Sequence, residues 1–420
     1  MQSPVKARSL FLLTAAAALA SVDCQRTFLD PMFPLAVLDD GRRWLDTPAT
    51  LLSTAPDVVQ AAAAAGINQS SAERLLERIL REQPASVDAV HAHMLLSRIY
   101  LRTGRYQKAI ANLDEWARRF PKDGQFWDAP KLEKEKTDVE QFRGLPDQVN
   151  GPVRASKLRH DGANDFSAPI AIDGKPANYL LDTGAWMSVM TEREAKRLGL
   201  EIRSGSGMLA EASGKGVPIR TAVAGELTVG AMSFRQVSFA ILPDVEPWTS
   251  MPDGRGGVIG IPVLLAMECM RWRRAGSWEL GCASDEAAGR PNMVFFENHL
   301  LAIAHMPDAR PSFTLDTGAE TTDLNSNFAK QFPRLIERVG KKGSTQVTGA
   351  GGTAVIESMT IPELAVDIGG TATTLRPANI TMQKNAALGG QCCIGNLGLD
   401  LLRQTGDLTI DFRTMSLRLR

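Results

Sequence analysis

The sequence Asp-Thr-Gly-Ala occurs twice in this chain of 420 residues, with the two aspartates 134 positions apart (316 − 182). Each copy follows an apolar run, Asn178–Leu181 in the first case and Ser312–Leu315 in the second. A further apolar run and a Gly- or Pro-containing turn precede each of these, which is the pattern of a β-hairpin. The same hairpin therefore delivers an aspartate at two places in one chain.

The correspondence continues downstream of each aspartate. Val258-Ile259-Gly260 lies 76 residues after Gly184 (260 − 184), and Cys393-Ile394-Gly395 lies 77 residues after Gly318 (395 − 318). Both are followed by a Leu-rich segment and a last hairpin. Short alternating strands with glycine turns indicate a β fold. The sequence thus predicts two duplicated lobes, residues 156–285 and 286–420.

Two aspartates held close together can share one proton. One can then take a proton from water while the other donates one to a substrate carbonyl. We therefore predict that Asp182 and Asp316 form one catalytic pair.

These elements resemble the retropepsins, the retroviral-type aspartic peptidases, over about residues 160–420. The resemblance implies a bilobal all-β fold with pseudo-two-fold symmetry, here with both lobes in one chain, although pairing of lobes from two chains is the alternative. It implies that Thr183 and Thr317 hydrogen-bond across the axis and that Gly184 and Gly318 allow backbone close to the carboxylates. Ala185 and Ala319 lack a hydroxyl donor, which predicts a less acidic optimum than a serine variant would have.

Two glycine-rich segments are candidates for flaps that cover the cleft, because glycine permits turns and movement. The candidate residues are Gly214 and Gly216 in the first lobe and Gly349, Gly351 and Gly352 in the second. Ordinary hairpin turns are the alternative interpretation.

The part of the chain before the lobes has helical periodicity. Ser70–Pro84 places apolar residues on one face, and Val90–Pro121 resembles one tetratricopeptide repeat, so we predict a helical region at 57–125. A generic helical hairpin is the alternative. His91 and His93, two positions apart, are expected at its surface. The charged stretch Lys131–Glu140 predicts a linker over 126–155.

The first residues have the order of an export signal: basic residues, an apolar run and small residues, which predicts a signal peptide at 1–20. An irregular segment, 21–56, would follow, and lipid attachment at Cys24 is a minority option because Asp23 precedes it. We therefore expect a periplasmic or secreted protein.

Cys269 and Cys282 are candidates for a disulfide across a hairpin with a two-residue turn, Ala275-Gly276; two free thiols are the alternative.

Composition argues against several other classes. Lys and Arg together number 47, as do Asp and Glu, so nucleic acid is not an expected partner. There is no Cys-x-x-Cys pair, so no metal site is predicted, and the expected chemistry needs no cofactor. We expect an aspartic endopeptidase acting on a peptide or protein substrate, with a possible protein partner on the helical region and no integral membrane segment. An inactive peptide-binding or scaffolding protein is the alternative.

Overall fold

A computed structural model of the chain describes residues 45, 47, 49–121, 129–160, 166–210, 216–246, 248–283, 291–307, 309–349, 352–382 and 392–420. The predicted signal peptide 1–20, Cys24 and the flap candidates Gly214 and Gly351 lie outside these residues. Within them, every helix is too short or too polar to cross a membrane.

A helical region opens the described chain. Its helices are α1 Ala49–Leu52, α2 Asp57–Gly66, α3 Ser71–Glu82, α4 Val87–Arg102, α5 Tyr106–Arg119 and α6 Ala129–Glu140. Helix α4 begins where the Ser86 hydroxyl accepts the Ala89 amide proton at 3.1 Å, a side-chain cap that satisfies one free donor. Every α4 side chain from Ala89 to Arg102 is buried, so α4 is the centre of this region.

The two histidines of α4 are buried, so the prediction that they lie at the surface is wrong. The His93 ring stacks on Trp116 at a centroid distance of 6.1 Å, and its Nδ1 lies 2.7 Å from Oδ1 of Asn112. His91 is 4% exposed. Their positions differ from the expectation because α4 is enclosed on all sides and has no solvent face.

The prediction of a linker at 126–155 is also wrong in part, because α6 occupies much of it. Leu132 and Val139, two turns apart, are buried among the charges of this helix, and Phe142 continues the same apolar stripe. Glu135 forms a bidentate ion pair with Arg98 of α4, with N–O distances of 2.8 and 2.7 Å. The charged composition therefore concealed a packed amphipathic helix.

The first lobe follows directly. Its elements are β1 Val149–Asn150, β2 Ser156–Arg159, β3 Ser167–Ile172, β4 Lys175–Leu181, β5 Ser188–Thr191, α7 Glu192–Leu198, β6 Arg203–Ala210, β7 Gly216–Val229, β8 Met232–Leu242, a 3-10 turn Trp248–Ser250, β9 Gly257–Ile259, α8 Ile261–Ala266, β10 Cys269–Arg273 and β11 Ser277–Leu280. Eight strands form one sheet in the order β1-β8-β5-β9-β4-β3-β7-β6. Asp173 and Gly174, with φ of 47° and 77°, make the two-residue turn that joins β3 to β4.

The second lobe repeats this plan. Its elements are β12 Met293–Phe296, β13 His299–His305, β14 Ser312–Leu315, β15 Asp323–Leu324, α9 Ser326–Gln331, α10 Pro333–Val339, β16 Lys341–Gly349, β17 Gly352–Ile361, β18 Leu364–Ile368, β19 Thr371–Leu375, β20 Ala378–Thr381, β21 Gly395–Leu397, α11 Leu399–Leu402, β22 Asp407–Asp411 and β23 Ser416–Leu419. The main sheet runs β16-β17-β20-β15-β21-β14-β13-β18-β19, with β12 paired to β13.

A third sheet joins the lobes, in the order β2-β11-β10-β22-β23. Strand β10 of the first lobe pairs antiparallel with β22 of the second, from Cys269 opposite Asp411 to Arg273 opposite Asp407. The last hairpin of each lobe therefore lies in a sheet that both lobes build.

The turn between β10 and β11 has three residues, Arg274–Gly276, because Arg273 pairs with Ser277. The predicted two-residue turn is therefore wrong by one position; the left-handed φ of 95° at Gly276 suits the longer loop. Cys269 and Cys282 still form a disulfide, with Cα atoms 5.4 Å apart. A second disulfide, which was not predicted, joins Cys392 to Cys393.

Strand pairing corrects the predicted correspondence between the lobes. In the first lobe, β4 pairs with β9 so that Leu181 lies opposite Ile259. In the second, β14 pairs with β21 so that Leu315 lies opposite Leu397. Val258-Ile259-Gly260 therefore corresponds to Asn396-Leu397-Gly398, not to Cys393-Ile394-Gly395. The sequence holds two apolar-Gly elements three residues apart, Ile394-Gly395 and Leu397-Gly398, and the predicted correspondence used the first.

The helical region packs against both lobes. The Phe142 ring meets the Trp186 ring of the first lobe edge to face, with centroids 5.2 Å apart. Met187 is buried in the same apolar cluster as α4. On the other side, the Arg102 guanidinium lies 4.3 Å from the ring centroid of Phe295 in β12 of the second lobe. The helices are thus part of one packed unit with the β region.

Candidate active site

The two aspartates stand at equivalent ends of buried strands. Asp182 follows β4 and its N–H donates to the Ile259 carbonyl at 2.9 Å. Asp316 follows β14 and its N–H donates to the Leu397 carbonyl at 3.1 Å. Each aspartate is therefore fixed to the neighbouring strand of its own lobe.

The two threonines hold the loops together across the lobes. The Thr183 amide donates to the Thr317 hydroxyl at 3.0 Å, and that hydroxyl donates to the Leu181 carbonyl at 2.6 Å. The reciprocal bonds run from the Thr317 amide to the Thr183 hydroxyl at 3.1 Å and from that hydroxyl to Leu315 at 2.8 Å. Both threonines are buried, so these four bonds are shielded from water.

The glycines allow each loop to approach the carboxyl group of the opposite lobe. A Cβ atom at Gly184 would lie 2.5 Å from Oδ1 of Asp316, and one at Gly318 would lie 2.5 Å from Cγ of Asp182. Any side chain at either position would push the two carboxyl groups apart. The glycines are therefore required by space, in addition to their amide donors.

The two carboxyl groups lie within hydrogen-bonding reach of each other. Burial raises the pKa of the Asp182 carboxyl well above its usual range, and the negative charge of Asp316 and a hydrogen bond with it raise the pKa further. The amides of Gly184 and Ala185 act in the opposite direction. The Asp182 residue is half-buried and so keeps partial contact with solvent. Such a pair favours a single shared proton.

Asp316 accepts three donors. The amides of Gly318 and Ala319 donate to Oδ1 at 2.9 and 3.1 Å. The side-chain amide of Asn396 donates to Oδ2 at 2.7 Å. The sequence spacing does not reveal Asn396, because it matches the lobes at Cys393-Ile394-Gly395; a match at Gly398 places Asn396 beside the dyad.

A histidine also lies near the dyad. His299 begins β13, and β13 pairs with β14, the strand that leads into Asp316. Burial lowers the pKa of its imidazole, while the negative charges of Glu297 and Asp316 oppose this. Burial thus favours the neutral form of this imidazole at the start of the strand next to β14.

The residues after each motif differ between the two lobes. In the first lobe, Trp186 and Met187 pack against the helical region. In the second lobe, Glu320 is exposed and its carboxylate pairs with Arg403 at 3.1 Å. One cause of this difference between the lobes is therefore that the helical region packs against the first-lobe residues Trp186 and Met187.

The flap-candidate glycines that lie within the described residues are at the ends of hairpins. Gly216 pairs with Ala210 at the end of the β6–β7 hairpin. Gly349 pairs with Gly352 at the end of the β16–β17 hairpin. Both hairpins are long, and their role as flaps stays a prediction.

Comparisons with known proteins give matches in the helical region and in the first lobe. Residues 168–263 match the family described as Aspartyl protease, and residues 70–129 match the family described as Tetratricopeptide repeat. A solved structure that matches is the crystal structure of a retropepsin-like aspartic protease from Rickettsia conorii, at 15% identity and a TM-score of 0.24, over 32% of this chain and 92% of that chain. No curated protein matches. The chain is therefore similar to aspartyl proteases over part of its first lobe and to tetratricopeptide repeats over its helical region.

Proposed function

We propose that this protein is an aspartic endopeptidase whose dyad, Asp182 and Asp316, comes from one chain. The observation that carries the proposal is the reciprocal bonding of Thr183 and Thr317, which brings the two carboxyl groups within reach of a shared proton. A binding protein would not need this arrangement. The aspartyl protease family match over the first lobe supports the same class.

The proposed reaction is attack of a water molecule on a peptide carbonyl. The ionised carboxyl of the pair takes a proton from the water as its oxygen bonds to the carbonyl carbon, and the protonated carboxyl gives its proton to the carbonyl oxygen. In the second step the proton taken from water passes to the peptide nitrogen as the C–N bond breaks. The other carboxyl regains a proton from the hydroxyl, so the pair returns to its starting state.

The test is cleavage of an unbiased peptide library between pH 3 and pH 8 by the wild type and by Asp182→Asn and Asp316→Asn. We expect cleavage by the wild type and a loss of roughly a thousandfold or more in each variant, since each removes one partner of the acid–base pair. Cleavage that survives either substitution would contradict the mechanism.

The alternative is a peptide-binding protein that uses the same cleft without catalysis. It predicts that the wild type retains library peptides without cutting them. Mass spectrometry of bound and free peptides after long incubation separates the two functions, because only a peptidase creates new termini.

We also propose that the protein acts outside the cytosol, in the periplasm or after secretion. The order of residues 1–20 and the disulfide between Cys269 and Cys282 support this, since such bonds persist in oxidising compartments. Fusion of residues 1–40 to a reporter that is active only after export tests it; a reporter that stays inactive would refute it.

A further inference from the structure

The two lobes differ at one pair of facing strand positions next to the dyad. In the first lobe, Leu180 of β4 lies opposite Val258 of β9. In the second lobe, the equivalent positions hold Thr314 of β14 and Asn396 of β21. An apolar pair in one lobe is thus a polar pair in the other, and its β4 or β14 member stands two residues before the aspartate of that lobe.

The polar pair connects to only one carboxyl group. The Thr314 hydroxyl donates to Oδ1 of Asn396, and Nδ2 of Asn396 donates to Oδ2 of Asp316 at 2.7 Å. In this orientation the amide oxygen accepts from the hydroxyl and the amide NH₂ faces the carboxylate. Thr314 is buried, so water does not compete for the hydrogen bond between its hydroxyl and Asn396.

The backbone donors do not create this difference. Gly184 donates to Asp182 at 2.8 Å as Gly318 donates to Asp316 at 2.9 Å, and Ala185 and Ala319 contribute on their respective sides. The side chain of Val258, at the position of Asn396, has no donor. Donors to a carboxylate favour its charged form.

We propose that Asn396 is a positioning residue that fixes the charge of the dyad on Asp316 and leaves the proton on Asp182. This inference rests on the proposed peptidase function. Asp316 then takes the proton from water in the first step, and Asp182 protonates the carbonyl oxygen. Without Asn396 the two carboxyl groups would exchange these roles more freely, and the form with one negative charge would be less stable.

The experiment replaces Asn396 by the residue of the first lobe, as Asn396→Val. The control is Asn379→Val. Asn379 also lies on a second-lobe strand and accepts from a threonine hydroxyl, that of Thr360 at 3.2 Å, but their strands β20 and β17 do not pair with β4 or β14. In Asn396→Val we expect the acid limb of the pH profile of kcat/KM to move up by about one pH unit. The control should leave the profile unchanged.

A second variant, Thr314→Val, keeps the amide but removes the hydroxyl that orients it. It should move the acid limb in the same direction by less, and it tests the proposal even if Asn396→Val does not fold. An acid limb that stays in place in both folded variants, or that moves equally in Asn379→Val, would overturn the proposal.

A readout without activity separates this proposal from the peptidase function. Carbon-13 NMR of aspartate-labelled protein, assigned with Asp182→Asn and Asp316→Asn, shows which carboxyl is charged when the pair holds one proton. We expect the carboxylate signal from Asp316 in the wild type and a signal shared between both residues in Asn396→Val. The carboxylate signal on Asp182 in the wild type would refute the role of Asn396, whether or not the protein cleaves peptides.

Discussion

The Thr183 amide donates to the Thr317 hydroxyl at 3.0 Å, and the Thr317 amide returns a bond of 3.1 Å to the Thr183 hydroxyl. Each hydroxyl also donates to a carbonyl of the opposite lobe. The position of one aspartate is therefore set by the backbone of the other lobe, and a change on one side must affect both.

Thr317→Val removes this hydroxyl but keeps the shape of the side chain. The Thr183 amide and the Leu181 carbonyl would lose their partners in a buried site, which should lower the free energy of unfolding by roughly 2–4 kcal/mol. The loosened dyad should also lose roughly tenfold or more in kcat. Urea unfolding and cleavage kinetics measure these effects. Thr317→Ser retains the hydroxyl and should keep most of the free energy of unfolding and most of kcat. An equal loss in the serine variant would argue against the hydrogen bonds as the cause.

A hydroxyl group placed after each motif glycine should make the enzyme more tolerant of acid. In Ala185→Ser/Ala319→Ser, each new hydroxyl can donate to the nearby carboxylate and favour its charged form, so the acid limb of kcat/KM should move down by roughly 0.5–1 pH unit. Ala177→Ser on β4 serves as the control. A profile that does not move would show that these alanines do not set the optimum.

Acid should weaken the helical region through His91. Burial lowers the pKa of this histidine from 6.5 to about 4, so the folded state favours the neutral ring. Its contribution is fully present above pH 6.5 and is lost as the pH falls from 6.5 to about 4, in total about 3 kcal/mol. His91→Gln should flatten the decline of the unfolding free energy over this range. The exposed His305 gives the matched control, His305→Gln, and an equal slope in wild type and His91→Gln would contradict this.

Loss of the contact between the helices and the first lobe should reduce activity. Phe142→Ala removes the ring that meets Trp186, next to the Asp182 loop, and should lower the unfolding free energy by about 3–5 kcal/mol. We expect kcat to fall by more than in Phe120→Ala, which removes another buried ring of the helical region, one that packs against His93. Equal kcat values in two folded variants would show that the helices do not support the dyad.

The sequence predicts the structure correctly where the signal comes from residues close together along the chain. The hairpins before Asp182 and Asp316 follow from alternation and turn residues, and a turn such as Asp173-Gly174 sets its own register. The alternative of free thiols at Cys269 and Cys282 is not what the structure shows, although the turn between them was misjudged. Local chemistry thus predicted the centres of the two lobes.

The failures have a common origin in tertiary contacts. Helix α6 looked like a charged linker because its stability depends on Arg98, more than thirty residues away. His91 is predicted at the surface because the sequence of α4 alone does not show that other elements enclose this helix. Asn396 was missed because pairing with β14, not residue spacing, decides which residue faces Asp316. Each required knowledge of a neighbour distant in sequence.

The sheet shared by the lobes has a consequence for the gene that encodes them. Strand β10 lies between β11 and β22, so its second edge is covered only by the later lobe. Residues 156–285 made alone would expose that edge to other chains, and unpaired strand edges lead to aggregation. During synthesis the second edge of β10 stays unpaired until β22, close to the end of the chain, has been made. The two halves thus share one sheet, and we expect a gene split between them to yield a first lobe that aggregates.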